Sequence, residues 1–190
     1  IDDKSTREMN MEQVANKIRG KYGTIVTLEL KDKEGKLRKV NVVRAEIKNP
    51  SVAGQLLPNT KIGYIRIAIF NENTGDDFAQ KYAELEKQGM QALVLDLREN
   101  PGGILNAGVD VARMLVPKGP IVSVIDKNGN KYEETSSLEK VKYPLAVLVD
   151  HGSASASEIV AGAIKDTKSG KLFGVKTFGK GSVQSVYRLD

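Results

Sequence analysis

The sequence contains no cysteine, no tryptophan and a single histidine, His151. Without cysteine it can form neither a disulfide framework nor a thiolate metal site, and one histidine is too few for a histidine-rich zinc centre. We therefore expect no metal and no cofactor. Aromatic residues are also scarce, at 5 %, and the net charge of +5 comes from Lys and Arg scattered among Asp and Glu. A nucleic-acid-binding surface usually shows a basic block interleaved with aromatics, so nucleic acid is not an expected partner.

Long apolar runs are a further absence. The longest ones, such as residues 145–149, are far too short to span a bilayer. Apolar residues make up 40 % and charged residues 28 % of the 190 residues, which is the ordinary composition of a globular protein with a buried core. No signal peptide opens the sequence, but Ile1 does not look like a natural start, and we expect a piece of a longer protein.

The first part of the chain predicts a small α/β unit. Asn10 and Gln13 have the spacing of a capping box, and a helix with one apolar face follows until Gly20. Alternating residues predict two strands, at 24–30 and 40–47. Pro and Asn residues between 49 and 59 then indicate a loop or linker.

From Ile62 onward, predicted strands alternate with predicted helices, which indicates an α/β sheet covered by helices. Residues 92–97 are nearly all apolar, as expected of a strand that is covered on both faces. Asn128 and Gly129 indicate a hairpin turn. The predicted strands are 63–69, 92–97, 121–125, 131–135, 145–149, 172–175 and 182–189. The predicted helices are one capped by Thr74 and closed by Gly89, and two more at 104–115 and 155–166.

Three serines lie within residues 153–157, between a predicted buried strand and a predicted helix. Sites in open α/β sheets gather at the carboxyl ends of strands, and a helix N-terminus offers unpaired N–H groups that stabilise negative charge. A hydroxyl there can attack a carbonyl while a neighbouring N–H holds the oxyanion. Ser155 and Glu158 also spell an S-x-x-E capping box, which explains the segment without catalysis. Both interpretations are open on this segment alone.

A serine nucleophile needs a base, and His151 is poorly placed four residues before Ser155. The motif G-x-S-x-G is absent from the sequence, and Glu158 stands where an S-x-x-K motif beginning at Ser155 would need lysine. Lysine is the remaining candidate, and it accepts a proton only when it is neutral, a state that burial among apolar groups favours. Lys180 follows Phe178 within a glycine-rich stretch, and Gln184 could orient its amine without adding charge. The alternative for Lys180 is an ordinary exposed turn lysine.

Residues 174–180 also fit the G-x-x-x-x-G-K pattern of a phosphate-binding loop. That motif requires Ser or Thr next, where this sequence has Gly181, and it must open a helix, whereas an alternating strand-like pattern follows here. We therefore reject nucleotide binding.

Together these segments resemble the C-terminal processing peptidases, or tail-specific proteases. The family's S-A-S-A-S-E-I pattern stands at 153–159, followed by Asp166, and its T-F-G-K-G-x-V-Q pattern stands at 177–184. Upstream, residues 95–103 are similar to the family's L-D-L-R-x-N-x-G-G loop, and residues 63–67 fit as well. The match runs over nearly the whole chain with the motifs in the family's order, which makes it far more specific than any single motif.

The resemblance implies a Ser–Lys peptidase. In the family's terms the middle serine, Ser155, is the nucleophile, Lys180 is its general base and Gln184 orients that base. The N–H groups of Gly103 and Ala156 hold the oxyanion.

The resemblance also implies an α/β fold with a crotonase- or Clp-like ββα core around a covered mixed sheet, preceded by a partial PDZ domain. The implied domains are the C-terminal part of a PDZ-like domain at 1–46 and a Ser–Lys peptidase core at 47–190, shortened at its C-terminus. In such a shortened form the peptidase is not assured of activity.

The implied activity is endopeptidic cleavage near the C-termini of loosely structured proteins, through an acyl-enzyme intermediate. The implied partners are polypeptides with exposed, apolar C-terminal tails, and a homo-oligomer is compatible with the family. The implied location is extracytoplasmic, in a bacterial periplasm or cell envelope, in a secreted form, or in a plastid lumen. Two alternatives stay open: a non-catalytic ligand- or peptide-binding protein on the same fold, and an interaction module built on the PDZ remnant.

Overall fold

The structure is a computed structural model that describes residues 1–45 and 50–184. The chain divides into two compact units, Ile1–Asn49 and Pro50–Asp190. Each unit is described by itself. None of the helices in the described residues is both long enough and apolar enough to cross a membrane.

The first unit contains helix α1 (Met11–Ile18) and an antiparallel pair of strands, β1 (Ile25–Lys31) and β2 (Leu37–Val43). The predicted capping box begins α1: the Gln13 N–H donates to the Asn10 side chain, and the Asn10 N–H donates to the Gln13 side chain, each at 2.9 Å. Val26 is the one hydrophobic residue that is buried among the described residues of this unit. Its identification as part of a PDZ domain stays a prediction.

The second unit is a mixed α/β fold. Its strands are β3 (Val52–Leu56), β4 (Ile62–Ile67), β5 (Ala92–Asp96), β6 (Gly119–Ile125), β7 (Lys131–Ser136), β8 (Leu145–Val149) and β9 (Lys171–Gly174). Its helices are α2 (Thr74–Lys87), α3 (Leu105–Arg113) and α4 (Ala156–Asp166). Five strands form one sheet in the order β3-β4-β5-β8-β9, in which β3 is antiparallel to β4 and the other pairs are parallel. The predicted mixed sheet is therefore confirmed, and β6 and β7 form a separate hairpin.

The core lies where one face of the sheet meets the helices. Burial alternates along β4 and β8, because successive side chains of a strand point to opposite faces. The fully buried strand residues pack in one cluster with Phe78 and Leu85 of α2, Val109 and Val111 of α3, and Val160 and Ile164 of α4. Strand β5 is completely covered on the face of Leu93 and Leu95 and incompletely on the other, where Ala92 and Val94 are partly buried.

The structure corrects three further predictions. The segment predicted as a loop between Pro50 and Asn59 contains strand β3, because its interior residues 52–56 pair with β4 although Pro and Asn flank them. Helix α2 has Asn73 at its N-cap, and Thr74 is instead a buried first residue whose hydroxyl lies 2.7 Å from that of Ser51. Residues 182–184 are not in a strand, and the rest of that predicted strand, with residues 46 and 47 of the earlier one, lies outside the described residues.

Candidate active site

The carboxyl ends of β5 and β8 bring two loops together. These strands are parallel neighbours in the sheet, so the loop after β5 and the turn after β8 leave the same edge. The buried Asn100 joins them: its carbonyl oxygen accepts the Ala154 N–H at 3.0 Å, and its side chain is bound to the Ile67 carbonyl oxygen (2.8 Å) and the Gly102 N–H (2.9 Å). The serine motif and the glycine loop, 50 residues apart in sequence, therefore form one site.

The three serines of the motif differ in what their hydroxyls bind. Ser153 and Ser157 are fully buried. The Ser153 hydroxyl donates to the Leu97 carbonyl oxygen at 2.8 Å, and the Ser157 hydroxyl donates to the Asn100 carbonyl oxygen at 2.9 Å. Ser155 is only partly buried and lines an open cleft. Of the three, Ser155 is therefore the hydroxyl that a substrate can reach.

Ser155 has an unusual backbone conformation. Its φ of 54° and ψ of −115° lie in a region that residues other than glycine rarely adopt. It occupies the sharp turn between β8 and α4, at the N-cap of the helix. A strained serine at a strand-to-helix turn is the arrangement that exposes a nucleophilic hydroxyl in other hydrolase folds.

The predicted oxyanion donors are the backbone N–H groups of Ala156 and Gly103, and Gly103 lines the same cleft as Ser155. Ala156 is the first residue of α4, so its N–H has no acceptor within the helix. Phe70 donates to the Gly102 carbonyl oxygen and accepts the Ile104 N–H, both at 2.8 Å, which turns the N–H of Gly103 away from Phe70. A Cβ atom on Gly102 would lie 2.7 Å from the Ser155 Cβ and 2.8 Å from the Ala156 nitrogen. The glycine loop therefore packs directly against the serine turn, as an oxyanion hole requires.

Ser155, Lys180 and Gln184 line the same cleft, which has a volume of about 1050 Å³. Residues 122–127, from β6 and the turn after it, form one wall, and residues 180–184 form another. Lys180 is exposed, and no hydrogen bond joins its amine to Ser155 within the part of the chain that the structure describes. The structure thus brings the predicted nucleophile and base into one cleft without a hydrogen bond between their side chains.

Glu158 was assigned from sequence only to a capping box, yet its carboxylate connects both halves of the site. One oxygen accepts the Thr177 hydroxyl (2.8 Å) and the Gly179 N–H (2.6 Å), and the other accepts the N–H groups of Ser155 and Lys180 (2.9 Å each). Partial burial opposes ionisation of Glu158, but these four hydrogen bonds outweigh it and lower the pKa of the carboxyl below its ordinary value. The sequence signal was present, since Glu158 belongs to the serine motif, but its partners lie about twenty residues further on.

Two other candidates lie away from this chemistry. His151 is exposed and is not among the residues that line the cleft. Asp166 is exposed at the far end of α4, eleven residues along the helix from Ser155. In the stretches 1–45 and 50–184, no three acidic or histidine side chains come together as a metal ion would require.

Comparison with known proteins finds one family. The model of "Peptidase family S41" matches residues 61–190. The chain is 39 % identical over 195 residues to a carboxyl-terminal-processing protease of Synechocystis sp., covering all of this chain and 46 % of that protein. It is 37 % identical over 190 residues to the carboxy-terminal processing protease CtpB of Bacillus subtilis, covering 97 % of this chain and 39 % of that protein. The chain therefore spans about half, or less, of the length of these relatives.

A solved structure is similar over almost the whole chain. It is described as the photosystem II D1 C-terminal processing protease, and it matches with a TM-score of 0.66 and 36 % sequence identity. The match covers 99 % of this chain and 53 % of that one. A lipoprotein from Streptococcus agalactiae, at 23 % identity and a TM-score of 0.61, shares the fold over 73 % of this chain.

Proposed function

The chain belongs to peptidase family S41, and we propose that it contains the catalytic centre of a serine endopeptidase that cleaves polypeptides near their C-termini. The observation that carries the proposal is Ser155, a strained and accessible serine at a helix N-terminus, in one cleft with Lys180. Relatives that match the full length of the chain are named carboxyl-terminal-processing proteases.

The residues divide the reaction between them. Lys180, in its neutral form, takes the proton of the Ser155 hydroxyl while the serine oxygen attacks the scissile carbonyl carbon. The N–H groups of Gly103 and Ala156 donate to the oxyanion of the tetrahedral intermediate. The C–N bond then breaks, Lys180 returns its proton to the leaving amine, and an ester to Ser155 remains. Water hydrolyses this acyl-enzyme, and Gln184 orients the amine of Lys180 throughout.

The cleft suits an extended polypeptide with apolar side chains. Its lining includes the following apolar residues: Phe70, Ile104, Leu105, Val122, Val124 and Ile159. Among residues 1–45 and 50–184, the adjoining strand β6 pairs only with β7, and an edge strand offers backbone groups to a chain laid beside it. The substrate class is therefore a loosely structured protein with an exposed, apolar C-terminal tail.

The proposal extends to the domains of the chain and to the location of the protein. Residues 1–46 are the C-terminal part of a PDZ-like domain, and residues 47–190 are a crotonase- or Clp-like core. The protein works outside the cytoplasm or in a plastid lumen, which agrees with relatives described as chloroplastic.

Hydrolysis of an unstructured peptide with an apolar C-terminus tests this function. The full-length protein should release a C-terminal fragment, and its Ser155→Ala variant should not. The absence of a hydrogen bond between Lys180 and Ser155 favours the alternative, a non-catalytic peptide-binding protein. Tight binding of the peptide without any cleavage, equal in the wild type and in Ser155→Ala, would establish that alternative.

A further inference from the structure

We propose that Glu158 is a positioning residue that fastens the segment carrying Lys180 to the turn carrying Ser155. The inference rests on the proposed peptidase function, in which these two residues are base and nucleophile. It adds a residue that does not touch the substrate but sets where the base stands relative to the serine.

The first step of the argument is the bridge itself. A single oxygen of Glu158 accepts hydrogen bonds from the backbone N–H groups of Ser155 and Lys180, each at 2.9 Å. The two backbones therefore share one atom as a common anchor, and they cannot separate without losing one of these bonds. Because the acceptor is charged, each bond is stronger than one to a neutral acceptor.

The second step is that the segment has few other attachments. Upstream of Lys180, the Phe178 N–H donates to the Ser153 carbonyl oxygen at 3.0 Å, and the Thr177 hydroxyl and the Gly179 N–H both donate to Glu158. Residues 178–184 are all exposed. Residues 179–184 make no hydrogen bonds to other described residues except the two that Gly179 and Lys180 donate to Glu158. Few buried contacts and exposed backbone mark a segment of low local stability, so its position depends on this carboxylate.

The third step concerns which substitution removes the anchor. Glutamine has nearly the shape of glutamate, but it presents one acceptor oxygen and one NH₂ donor. In Glu158→Gln, the NH₂ group faces either Thr177 and Gly179 or the N–H groups of Ser155 and Lys180, depending on how the amide is turned. In either case at least one backbone N–H of the segment, that of Gly179 or that of Lys180, loses its acceptor. The side-chain volume stays the same, which separates the weakened anchor from a packing defect.

The test combines amide hydrogen exchange with peptide hydrolysis in the full-length protein. In Glu158→Gln we expect the amide of Gly179, that of Lys180, or both to exchange at least about tenfold faster than in the wild type. We expect kcat to fall about 100-fold, as for other misplacements of about 1 Å, with KM within about threefold because the cleft walls are unchanged. Glu84→Gln, which changes an exposed carboxylate of α2, is the matched control and should leave both readouts unchanged.

A second variant keeps the test decisive if Glu158→Gln does not fold. Thr177→Val removes one of the four donors to the carboxylate with little change in shape, and it should lower kcat less, by about three- to tenfold. Wild-type exchange rates at Gly179 and Lys180 in Glu158→Gln would overturn the proposal. Faster exchange with an unchanged kcat would overturn it too, because the anchor would then have no effect on the base. A wild-type protein that cleaves nothing contradicts the proposed function instead, and the exchange rates alone then decide whether Glu158 holds the segment.

Discussion

At the scale of single residues, burial separates the three serines of the motif. Ser153 and Ser157 use their hydroxyls to satisfy main-chain carbonyl oxygens of the loop after β5, whereas Ser155 lines the cleft. The sequence could place a nucleophile among them only through the family's spacing. The structure supplies a physical reason for the same choice, since a hydroxyl that is committed to a buried acceptor cannot also attack a substrate.

Substitution of the three serines should therefore separate stability from turnover. Ser153→Ala and Ser157→Ala each remove the side-chain hydrogen bond to a buried carbonyl oxygen that keeps one backbone donor. Each should lower the free energy of unfolding by about 0.5–1.5 kcal/mol while turnover persists. Ser155→Ala should cost about 1 kcal/mol or less and abolish turnover. Urea unfolding and peptide hydrolysis measure the two effects. An active Ser155→Ala beside an inactive Ser157→Ala would show that the assignment is wrong.

Asp96 is a second residue whose environment has measurable consequences. It is completely buried and accepts hydrogen bonds from the Tyr64 hydroxyl (2.5 Å) and from two side-chain nitrogens of Arg98 (2.7 and 2.9 Å). Burial opposes ionisation, but the hydrogen bonds from Arg98 and Tyr64 outweigh it and lower the pKa of Asp96 to about 2. A carboxyl whose pKa is lowered by folding stabilises the folded state fully at pH values above its pKa in the unfolded chain, which is about 3.9. This stabilisation disappears as the pH falls through the lower pKa of the folded state.

Arg66 is a second charged partner of Asp96, with a side-chain nitrogen 3.5 Å from the carboxylate. Asp96→Asn should therefore lower the free energy of unfolding at pH 7 by about 1–2 kcal/mol, a value reduced because the side chains of Arg66 and Arg98 are partly exposed. The difference between wild type and variant should shrink as pH falls from about 4 towards about 2. Urea unfolding at a series of pH values measures it. The exposed Glu139→Gln should stay within about 0.5 kcal/mol of wild type throughout. A wild-type advantage that is constant down to pH 2 would contradict the assigned pKa.

At the scale of elements, the site depends on the loop between β5 and α3. Gly102 has a φ of 92°, and a Cβ atom there would lie 2.5 Å from the Ala154 carbonyl oxygen. The backbones of the two loops are thus in contact, and only glycine allows so close an approach. This contact holds the loop that carries Gly103 against the turn that carries Ser155 and Ala156.

Gly102→Ala should displace this loop, lower the free energy of unfolding by about 1–3 kcal/mol and reduce kcat more than 100-fold. Gly162→Ala is the matched control, because it lies inside α4 and an added Cβ would meet nothing within 4 Å. It should stabilise the protein by up to about 1 kcal/mol and leave kcat unchanged. A fully active Gly102→Ala protein would exclude this loop from the reaction.

The helices and strands also show which structural features local sequence patterns can predict. The capping box at Asn10 and the apolar strand β8 were predicted correctly, because both are encoded by a few adjacent residues. Strand β3 was missed, since its pairing with β4 is a tertiary contact that the flanking Pro and Asn residues obscure. The hydrogen bonds that residues 177–180 donate to Glu158 are not predictable from sequence for the same reason, because they are tertiary contacts between residues about twenty positions apart.

At the scale of the molecule, the described residues of the site belong to the larger unit. Of the residues that the structure describes, those buried in the main hydrophobic core lie between Val52 and Ile164, and those that line the cleft lie between Phe70 and Gln184. From the order and spacing of the motifs the sequence could predict that Ser155, Lys180 and Gln184 belong together, and these three residues line one cleft. They could not predict that Lys180 is exposed, because its burial depends on tertiary contacts that the local sequence does not encode.

The central claim is that Lys180 is the base for Ser155, and Lys180→Arg in the full-length protein tests it most directly. Arginine has a similar reach and the same charge as protonated lysine, but it stays protonated at any working pH and cannot accept the serine proton. The measurement is the rate of peptide cleavage against pH for the wild type, Lys180→Arg and His151→Ala. The wild-type rate should rise with pH, His151→Ala should follow the same profile, and Lys180→Arg should be at least about 100-fold slower at every pH. A Lys180→Arg protein with near-normal turnover, or a His151→Ala protein without any, would contradict the claim.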